Sequence, residues 1–211
     1  MPKRTPELLN FRRNEIIDAC ERLYETKGFK EITMADIAEE TTFTRTSIYN
    51  YFRTKEEIFL ALYTREYDRW NRDLREILRG EKLPGGIPEA VARSLEKREQ
   101  LLKLLSMNNY DMEANSRPEL LVEFKASYGR SRELIRQILR KFRPDLGEAE
   151  IREVIALFFP FMFGIYPYVS VTDKQKAAME AAGVVLEEQT VYTLTRSCLA
   201  GLLGEGKGEG I

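Results

Sequence analysis

Histidine is absent from this chain, and cysteine occurs only twice, at Cys20 and Cys198. The two cysteines are far apart and lack the spacing of metal ligands, so we expect a reduced, cytoplasmic environment and no metal. The chain also lacks a glycine-rich phosphate loop, a dinucleotide fingerprint and a G-x-S-x-G nucleophile elbow. Together with the missing histidine, these absences argue against an enzyme, and we predict no catalytic residues and no cofactor.

An excess of charge of either sign is also lacking. The net charge is −1, and the first 55 residues carry 10 Lys and Arg against 9 Asp and Glu, a difference of only +1. A strongly basic domain is therefore excluded. Any surface that binds nucleic acid must be a small patch of well-placed cations and helix N-termini.

Long hydrophobic runs are scarce, with one exception. Residues 154–171 form 18 consecutive residues without a charge, which is the lower limit for a membrane span. The run contains Pro160, Gly164 and Pro167, no second hydrophobic stretch accompanies it, and the N-terminus lacks the apolar core of a signal peptide. We therefore expect a helix buried in a core or a subunit interface, and no membrane partner.

The alternation of apolar and polar residues that marks strands is not sustained anywhere in the sequence. Apolar residues recur instead at spacings of three and four, in stretches rich in Glu, Lys, Arg, Leu and Ala. The predicted fold is therefore all-α, with three short helices followed by a bundle of longer ones. The helices are expected at about 11–27, 33–40, 45–52, 55–79, 91–105, 118–142, 148–170, 173–182 and 186–203.

The second and third short helices have the pattern of a helix-turn-helix DNA reader, with the first helix as a buttress. The third runs from Thr44 to Phe52, and its residues Ile48 and Phe52, four apart, are predicted to face inward. Hydroxyl, amide and guanidinium groups then project outward. Small hydroxyls at a helix N-terminus permit close phosphate approach, and Arg or Asn pairs with base edges.

Residues 13–59 resemble the N-terminal domain of the TetR family of transcriptional regulators. The resemblance rests on the Gly28-Phe29 pair, on the T-M-x-x-I-A run at 33–38 and on the I-Y-x-Y-F-x-x-K-E-E run at 48–57. One departure lies in the turn between the helices. Thr42 and Phe43 stand where the family has a small residue or glycine and then a small apolar residue, so either Thr42 is strained or the turn is built differently.

The resemblance implies a set of DNA contacts. Hydrophobic packing is the alternative role for Tyr49 and Tyr51, and a solvated surface charge is the alternative for Arg45. We expect the basic residues near the N-terminus, Lys3, Arg4, Arg12 and Arg13, to be solvated, with a minor-groove arm as the alternative. The implied phosphate contacts are Thr33, Thr44, Tyr49, Tyr51 and Lys55, and the implied base-edge contacts are Arg45, Thr46, Ser47 and Asn50.

The resemblance further implies a homodimer formed through the last two long helices. Such a dimer holds two reading helices about 34–36 Å apart, so the expected operator is palindromic double-stranded DNA. The implied organisation is a flexible basic arm at 1–8, a DNA-binding domain at 9–55, a connecting helix at 55–79, a ligand-binding and dimerisation body at 80–204 and a disordered tail at 205–211.

The resemblance also implies a pocket for a small-molecule effector in the body. Aromatic side chains at helical spacing are the candidates for its lining, although such a stripe is equally typical of a plain core. The predicted function is a ligand-responsive repressor; the alternatives are a DNA-bound adaptor without an effector and an activator. The candidate ligand-binding residues are Tyr63, Tyr67, Trp70, Tyr110, Phe124, Tyr128, Phe158 and Phe161.

Overall fold

The computed structural model describes residues 5–107 and 109–205. All regular secondary structure in these two ranges is α-helical, which confirms the predicted all-α fold. Residues 1–4 of the predicted arm and residues 206–211 of the predicted tail lie outside the described residues. The helices are α1 (Pro6–Thr26), α2 (Met34–Glu39), α3 (Arg45–Ile48), α4 (Lys55–Arg79), α5 (Gly86–Glu96), α6 (Glu99–Leu105), α7 (Asn109–Ala114), α8 (Pro118–Phe142), α9 (Glu148–Val169), α10 (Asp173–Ala181) and α11 (Val191–Leu202).

The chain divides into two compact units. Unit 1 consists of Met1–Arg65 and Asn108–Ser127, and unit 2 consists of Glu66–Met107 and Tyr128–Ile211. Helices α4 and α8 each begin in unit 1 and end in unit 2. Unit 1 therefore contains α7 and the first turns of α8, a segment that the sequence pattern assigned to the body.

The core of unit 1 is formed by apolar faces of α1, α2, α3 and the first half of α4. Ile16, Cys20 and Tyr24 of α1 are buried in this core, and Leu23 is half-buried. Ring contacts tie this core together, since the Phe59 ring meets Tyr24 edge-on at 5.2 Å and Phe29 at 4.8 Å. The fully buried large side chains of this core include Ile16, Tyr24, Ile32, Ile37, Ile48, Phe52, Ile58 and Phe59.

Helix boundaries differ from the predictions mainly where a threonine caps a helix. Helix α1 begins at Pro6, five residues early, because Thr5 accepts a hydrogen bond from the amide of Leu8 and proline suits the first helical position. Residues 6–8 are thus helical instead of belonging to an arm. Helix α11 begins at Val191, five residues late, because Thr190 forms its capping box.

The helix predicted between Val91 and Leu105 is two helices, α5 and α6. The break falls at Lys97 and Arg98, where Arg98 leaves the helical region and its guanidinium binds both carboxylate oxygens of Asp73 on α4, at 2.6 and 2.8 Å. Helix α7, with six residues, was not predicted. The break between α5 and α6 and the extra helix α7 both involve short helices, and apolar spacing alone does not indicate where such short helices begin and end.

The uncharged segment around residues 154–171 forms most of α9, as predicted, but only one of its faces is buried. Ile155, Phe158 and Met162 are buried, whereas Leu157 and Phe163 are 50% and 40% exposed. In the described ranges, no single helix is long and apolar enough to cross a membrane; α9 and α10 reach that length and composition together, but with a bend of 84° between them.

Candidate nucleic-acid interface

Helix α2 opens with a capping box built from Thr33 and Asp36. The amide of Asp36 donates to Thr33 Oγ1 at 3.2 Å, and the Asp36 carboxylate accepts from the Thr33 amide at 2.7 Å and from its hydroxyl at 2.6 Å. These hydrogen bonds from Thr33, with a smaller effect of Lys27, hold the pKa of Asp36 below its ordinary value. The box fixes the start of α2 and leaves Thr33 exposed at the surface.

The turn between α2 and α3 contains no left-handed residue, because none of the described non-glycine residues has a positive φ. Hydrogen bonds from threonines build the turn instead. Thr41 Oγ1 donates to Ala38 O at 2.9 Å and accepts from the amide of Phe43 at 3.2 Å. Thr42 donates from both its amide and its hydroxyl to Glu15 Oε1 on α1, at 2.9 and 2.8 Å. The departure at Thr42 therefore gives a differently built turn without strain.

Helix α3 is short, and its first turn is capped by Thr44. Thr44 Oγ1 accepts from the amide of Ser47 at 3.3 Å. The regular helix ends at Ile48, earlier than predicted, but helical turns continue, since the amide of Phe52 still donates to Ile48 O at 3.0 Å. Ile48 and Phe52 are completely buried, as their spacing predicted. These two side chains therefore anchor the segment 44–52, which we call the reading helix.

The outer face of the reading helix carries polar groups that point to solvent. Thr44, Arg45, Thr46 and Asn50 are exposed, and the Tyr49 ring is 45% exposed. Ser47 is half-buried. Three of these side chains already have a local partner, because Thr44 Oγ1 and Ser47 Oγ lie 2.9 Å apart, and Asn50 Nδ2 donates to Ser47 O at 3.1 Å.

Two of the predicted DNA contacts also have structural roles. Tyr51 is half-buried, and its ring packs edge-on against Phe43 with centroids 5.9 Å apart. Lys55, at the start of α4, donates to Phe29 O at 2.8 Å and to Ile32 O at 3.0 Å, and its ammonium lies 4.3 Å from the Phe29 ring centroid. Because Ile32 precedes Thr33, the structure brings Lys55 close to the start of α2.

Two arginines of α1 also contact this region; the sequence analysis expected them to be solvated, with a minor-groove arm as the alternative. The guanidinium of Arg12 lies 5.4 Å from the Phe43 ring centroid, and that of Arg13 lies 5.6 Å from the Phe52 ring centroid. Arg13 also pairs with Glu123 at 3.0 Å. No signal in the sequence indicated these contacts, since they depend on how α1 crosses the reading helix.

The candidate ligand-binding residues are divided between unit 1 and unit 2. In unit 1, Tyr63 and Phe124 are buried and pack with ring centroids 4.7 Å apart. Tyr110 is 86% exposed, so its side chain lies at the surface and not at an interior wall.

The candidates in unit 2 are grouped around Phe159, which the sequence analysis did not select. Its ring lies 6.0 Å from Trp70, 5.5 Å from Tyr128 and 6.0 Å from Phe158. The Tyr67 ring also belongs to this group, since it packs edge-on against Tyr128 with ring centroids 5.7 Å apart. Phe161 is half-buried. We call Tyr67, Trp70, Tyr128, Phe158 and Phe159 the aromatic cluster.

Unit 2 also has an open groove of about 740 Å³ that the sequence did not predict. It lies between the end of α9, helix α10 and the start of α11, and none of the candidate ligand-binding residues lines it. Its walls are mostly apolar and include Tyr168, Met179, Val185, Leu186 and Leu194.

Comparison with known families decides the classification. Residues 16–62 match the family described as bacterial regulatory proteins, tetR family, and residues 64–200 match the tetracyclin repressor-like C-terminal domain. The chain belongs to the TetR family. Its N-terminal match covers α2, the turn and the reading helix, and its C-terminal match covers most of α4 to α11.

Individual relatives agree with this TetR-family assignment. The chain is 37% identical over 73 residues to the HTH-type transcriptional regulator YfiR of Bacillus subtilis, across 35% of this chain and 36% of that protein. It is 42% identical over 62 residues to TtgR of Pseudomonas putida, across 29% and 30% of the two chains. The matches thus span about a third of the length of these relatives.

Solved structures share the fold over nearly the whole length of this TetR-family chain. A TetR/AcrR-family regulator from Thermobifida fusca superposes with a TM-score of 0.62 at 19% identity, covering 95% of this chain and 100% of that one. FadR of Thermus thermophilus, solved with lauroyl-CoA, superposes with a TM-score of 0.58 at 19% identity, covering 94% and 97%. At such low identity the likeness concerns the fold alone.

Proposed function

We propose that this chain is a ligand-responsive transcriptional repressor that binds a palindromic operator as a homodimer. The observation that carries the proposal is the reading helix. Buried Ile48 and Phe52 fix one side of it, and exposed Arg45, Thr46 and Asn50 occupy the other. A short helix held rigidly with donors on its outer face is suited to the major groove, where Arg and Asn pair with guanine and adenine edges.

The other implied contacts serve the DNA backbone. Thr33 and Thr44 are exposed at the starts of two helices, where amides and hydroxyls can approach phosphate oxygens closely. Tyr49 is exposed beside them. Two donors of the Lys55 ammonium already bind carbonyl oxygens, and the half-buried Tyr51 ring packs against Phe43, so we assign these two residues weaker phosphate contacts than Thr44 and Tyr49.

The proposed dimer interface is formed by α9 and α11. The face of α9 that is not buried carries Leu157, Phe163 and Tyr168, which are 50%, 40% and 72% exposed in the protomer. An apolar surface of this kind is stabilised when a second copy covers it. A two-fold dimer of DNA readers favours an operator with the same symmetry, which is why we expect a palindrome.

The proposed effector is an apolar molecule. The mostly apolar groove of about 740 Å³ in unit 2 is the surface whose chemistry suits one. Structural neighbours provide the first compounds to test, because two FadR proteins were solved with lauroyl-CoA and stearoyl-CoA. The effector acts only if it binds the DNA-free state more tightly than the DNA-bound state.

An adaptor or an activator without an effector is the second candidate. Complete burial of Trp70 and Phe158 favours it, since an adaptor needs no internal site and fills its core with side chains. The two functions separate in one assay. A repressor that responds to acyl-CoA releases its operator on addition of lauroyl-CoA or stearoyl-CoA, whereas an adaptor retains it with every apolar compound tried.

The experiment that tests the proposal is a selection from random duplex DNA with the purified full-length protein at a fixed, stated salt concentration. We expect a palindromic motif with two half-sites about one helical turn apart. Recovery of no enriched sequence by a folded protein would overturn the proposal.

A further inference from the structure

A partly buried ion pair in unit 1 joins the reading helix to a segment far away in the sequence; its carboxylate is buried, and the side chain of its arginine is 33% exposed. Glu57, in the first turn of α4, is 1% exposed. Arg117, just before α8, donates from Nε to Glu57 Oε1 at 2.7 Å and from Nη2 to Glu57 Oε2 at 3.0 Å, and its amide donates to Oε1 at 3.2 Å. This bidentate geometry is the strongest arrangement available to an arginine and a carboxylate.

The same guanidinium also holds the end of the reading helix. Arg117 Nη2 donates to the carbonyl oxygen of Tyr51 at 2.9 Å. The last carbonyls of a helix have no partner within the helix, so a charged donor placed there fixes the helix end. Tyr51 directly follows Asn50, one of the proposed base contacts.

The Glu57 carboxylate also binds the link between the reading helix and α4. Its Oε2 atom accepts from the amide of Arg53 at 2.7 Å, in the link between the reading helix and α4. Thr54 and Glu57 have the spacing of a capping box, and the Glu57 amide does donate to Thr54 Oγ1 at 3.2 Å, but the Glu57 carboxylate binds Arg53 and Arg117. Burial opposes ionisation of Glu57, but the hydrogen bonds from Arg117 and Arg53 prevail and lower its pKa.

We propose that Arg117 is a positioning residue for DNA recognition, which sets the orientation of the reading helix through Tyr51 and Glu57 without touching DNA. The inference rests on the proposed function. It adds a residue outside the matched N-terminal domain, which ends at residue 62, to those on which base recognition depends. A second tie supports the same link, since Thr54 Oγ1 donates to Asn115 O at 3.1 Å.

Arg117→Gln tests this role, and Arg130→Gln is the matched control. Arg130 pairs with Asp68 at 2.8 Å, with both side chains close to half exposed, so its loss leaves no buried charge behind. Binding of each variant is measured to the duplex recovered by selection and to a scrambled duplex of equal length, over a series of salt concentrations. Loss of one well-placed base contact lowers affinity roughly 5- to 150-fold, and a dimer loses that contact in both half-sites, so the expected loss is roughly 25-fold or more.

We expect Arg117→Gln to lose operator affinity to this extent while its affinity for scrambled DNA and its salt slope stay at the wild-type values. Arg130→Gln should match the wild type in all three. Unchanged operator preference in Arg117→Gln overturns the proposal. Equal losses on both duplexes, with a salt slope smaller by about 1 for each subunit of the dimer, also overturn it, because they identify a direct phosphate contact.

Arg117→Lys covers the case in which the glutamine variant does not fold. A single ammonium cannot serve both oxygens of Glu57 and the carbonyl of Tyr51 in one fixed geometry, so we expect an intermediate preference. Wild-type preference in Arg117→Lys overturns the role of the bidentate geometry.

Amide hydrogen exchange without DNA separates this inference from the proposed function. The amides of Phe52 and Arg53 should exchange at least roughly 5-fold faster in Arg117→Lys than in Arg130→Gln. If the wild type selects no DNA motif, the proposed function fails, and exchange still decides whether Arg117 holds the helix end. Unchanged exchange contradicts the inference even when DNA binds.

Discussion

Lys55→Met tests whether Lys55 stabilises unit 1 in the absence of DNA or serves only as a DNA contact. The substitution keeps most of the aliphatic stem and removes the ammonium group. That group donates to Phe29 O and Ile32 O at 2.8 and 3.0 Å and lies over the Phe29 ring at 4.3 Å. Methionine leaves both carbonyls without this donor, so the folded protein loses stability before any DNA is present.

The size of the loss follows from these contacts. A hydrogen bond from a charged donor contributes about 1.5–3 kcal/mol, and a cation–π contact at a partly exposed site contributes about 0.5–1 kcal/mol. Lys55 is half-buried, and water can reach the two carbonyls in the variant, so the terms do not add fully. We expect the free energy of unfolding to fall by about 2–4 kcal/mol.

Lys125→Met is the matched control for this measurement. Lys125 pairs with Glu113 at 2.6 Å and lies 5.2 Å from the Phe124 ring centroid, but its side chain is 52% exposed. An exposed pair of this kind contributes about 0–1 kcal/mol. Urea unfolding followed by circular dichroism, at one fixed protein concentration, measures both variants. Equal midpoints for the two variants would refute the structural role of Lys55.

Three further outcomes follow from the structure. Because the pKa of Glu57 is lowered in the folded protein, its carboxylate stabilises the fold above the ordinary glutamate pKa of about 4.3, and this contribution is lost as the pH falls. Glu57→Gln should therefore flatten the decline of the free energy of unfolding between about pH 5 and 3. Parallel curves for the variant and the wild type would contradict this. Thr44→Ala should cost about 1 kcal/mol of stability and weaken operator binding, measured by urea unfolding and DNA titration. Phe163→Glu should yield monomers in sedimentation, whereas Val122→Glu, at an exposed apolar position on α8, should not; dimers in both would place the interface elsewhere.

Local signals in the sequence were sufficient to predict most of the helices of unit 1. Thr33 and Asp36 have capping-box spacing, and the box is present. Ile48 and Phe52 are four residues apart, and both are buried. These features depend on residues three or four positions apart, which is why sequence alone reveals them.

Features that depend on distant residues were not predictable in the same way. The break between α5 and α6 is tied to Asp73, which lies 25 residues before Arg98. The turn at Thr42 is completed by Glu15, 27 residues earlier. Arg117 reaches Glu57 across 60 residues of sequence. In each case a charged side chain binds a partner that lies far away in the sequence, so the residues around it give no signal of the contact.

The candidate ligand site shows the limit of pattern reasoning most clearly. Aromatic spacing on α4 located Tyr67 and Trp70, which are buried in the aromatic cluster, but the same reasoning selected Tyr110, which is 86% exposed. Aromatic spacing also failed to indicate Phe159, whose ring packs against three others in the cluster. Spacing identifies the inward face of one helix, but which helices meet depends on tertiary packing.

Selection from random duplex DNA with the wild type, Asn50→Ala and Tyr49→Ala, run side by side, tests the central claim most directly. Asn50 is assigned to base edges and Tyr49 to the DNA backbone. Removing the Asn50 side chain should therefore change the base preference, whereas removing the Tyr49 side chain should weaken binding to every sequence. We expect a palindrome for the wild type, the same palindrome bound more weakly for Tyr49→Ala, and a motif relaxed at one position of each half-site for Asn50→Ala. An unchanged motif with Asn50→Ala would contradict the assignment of base reading to this face of the helix.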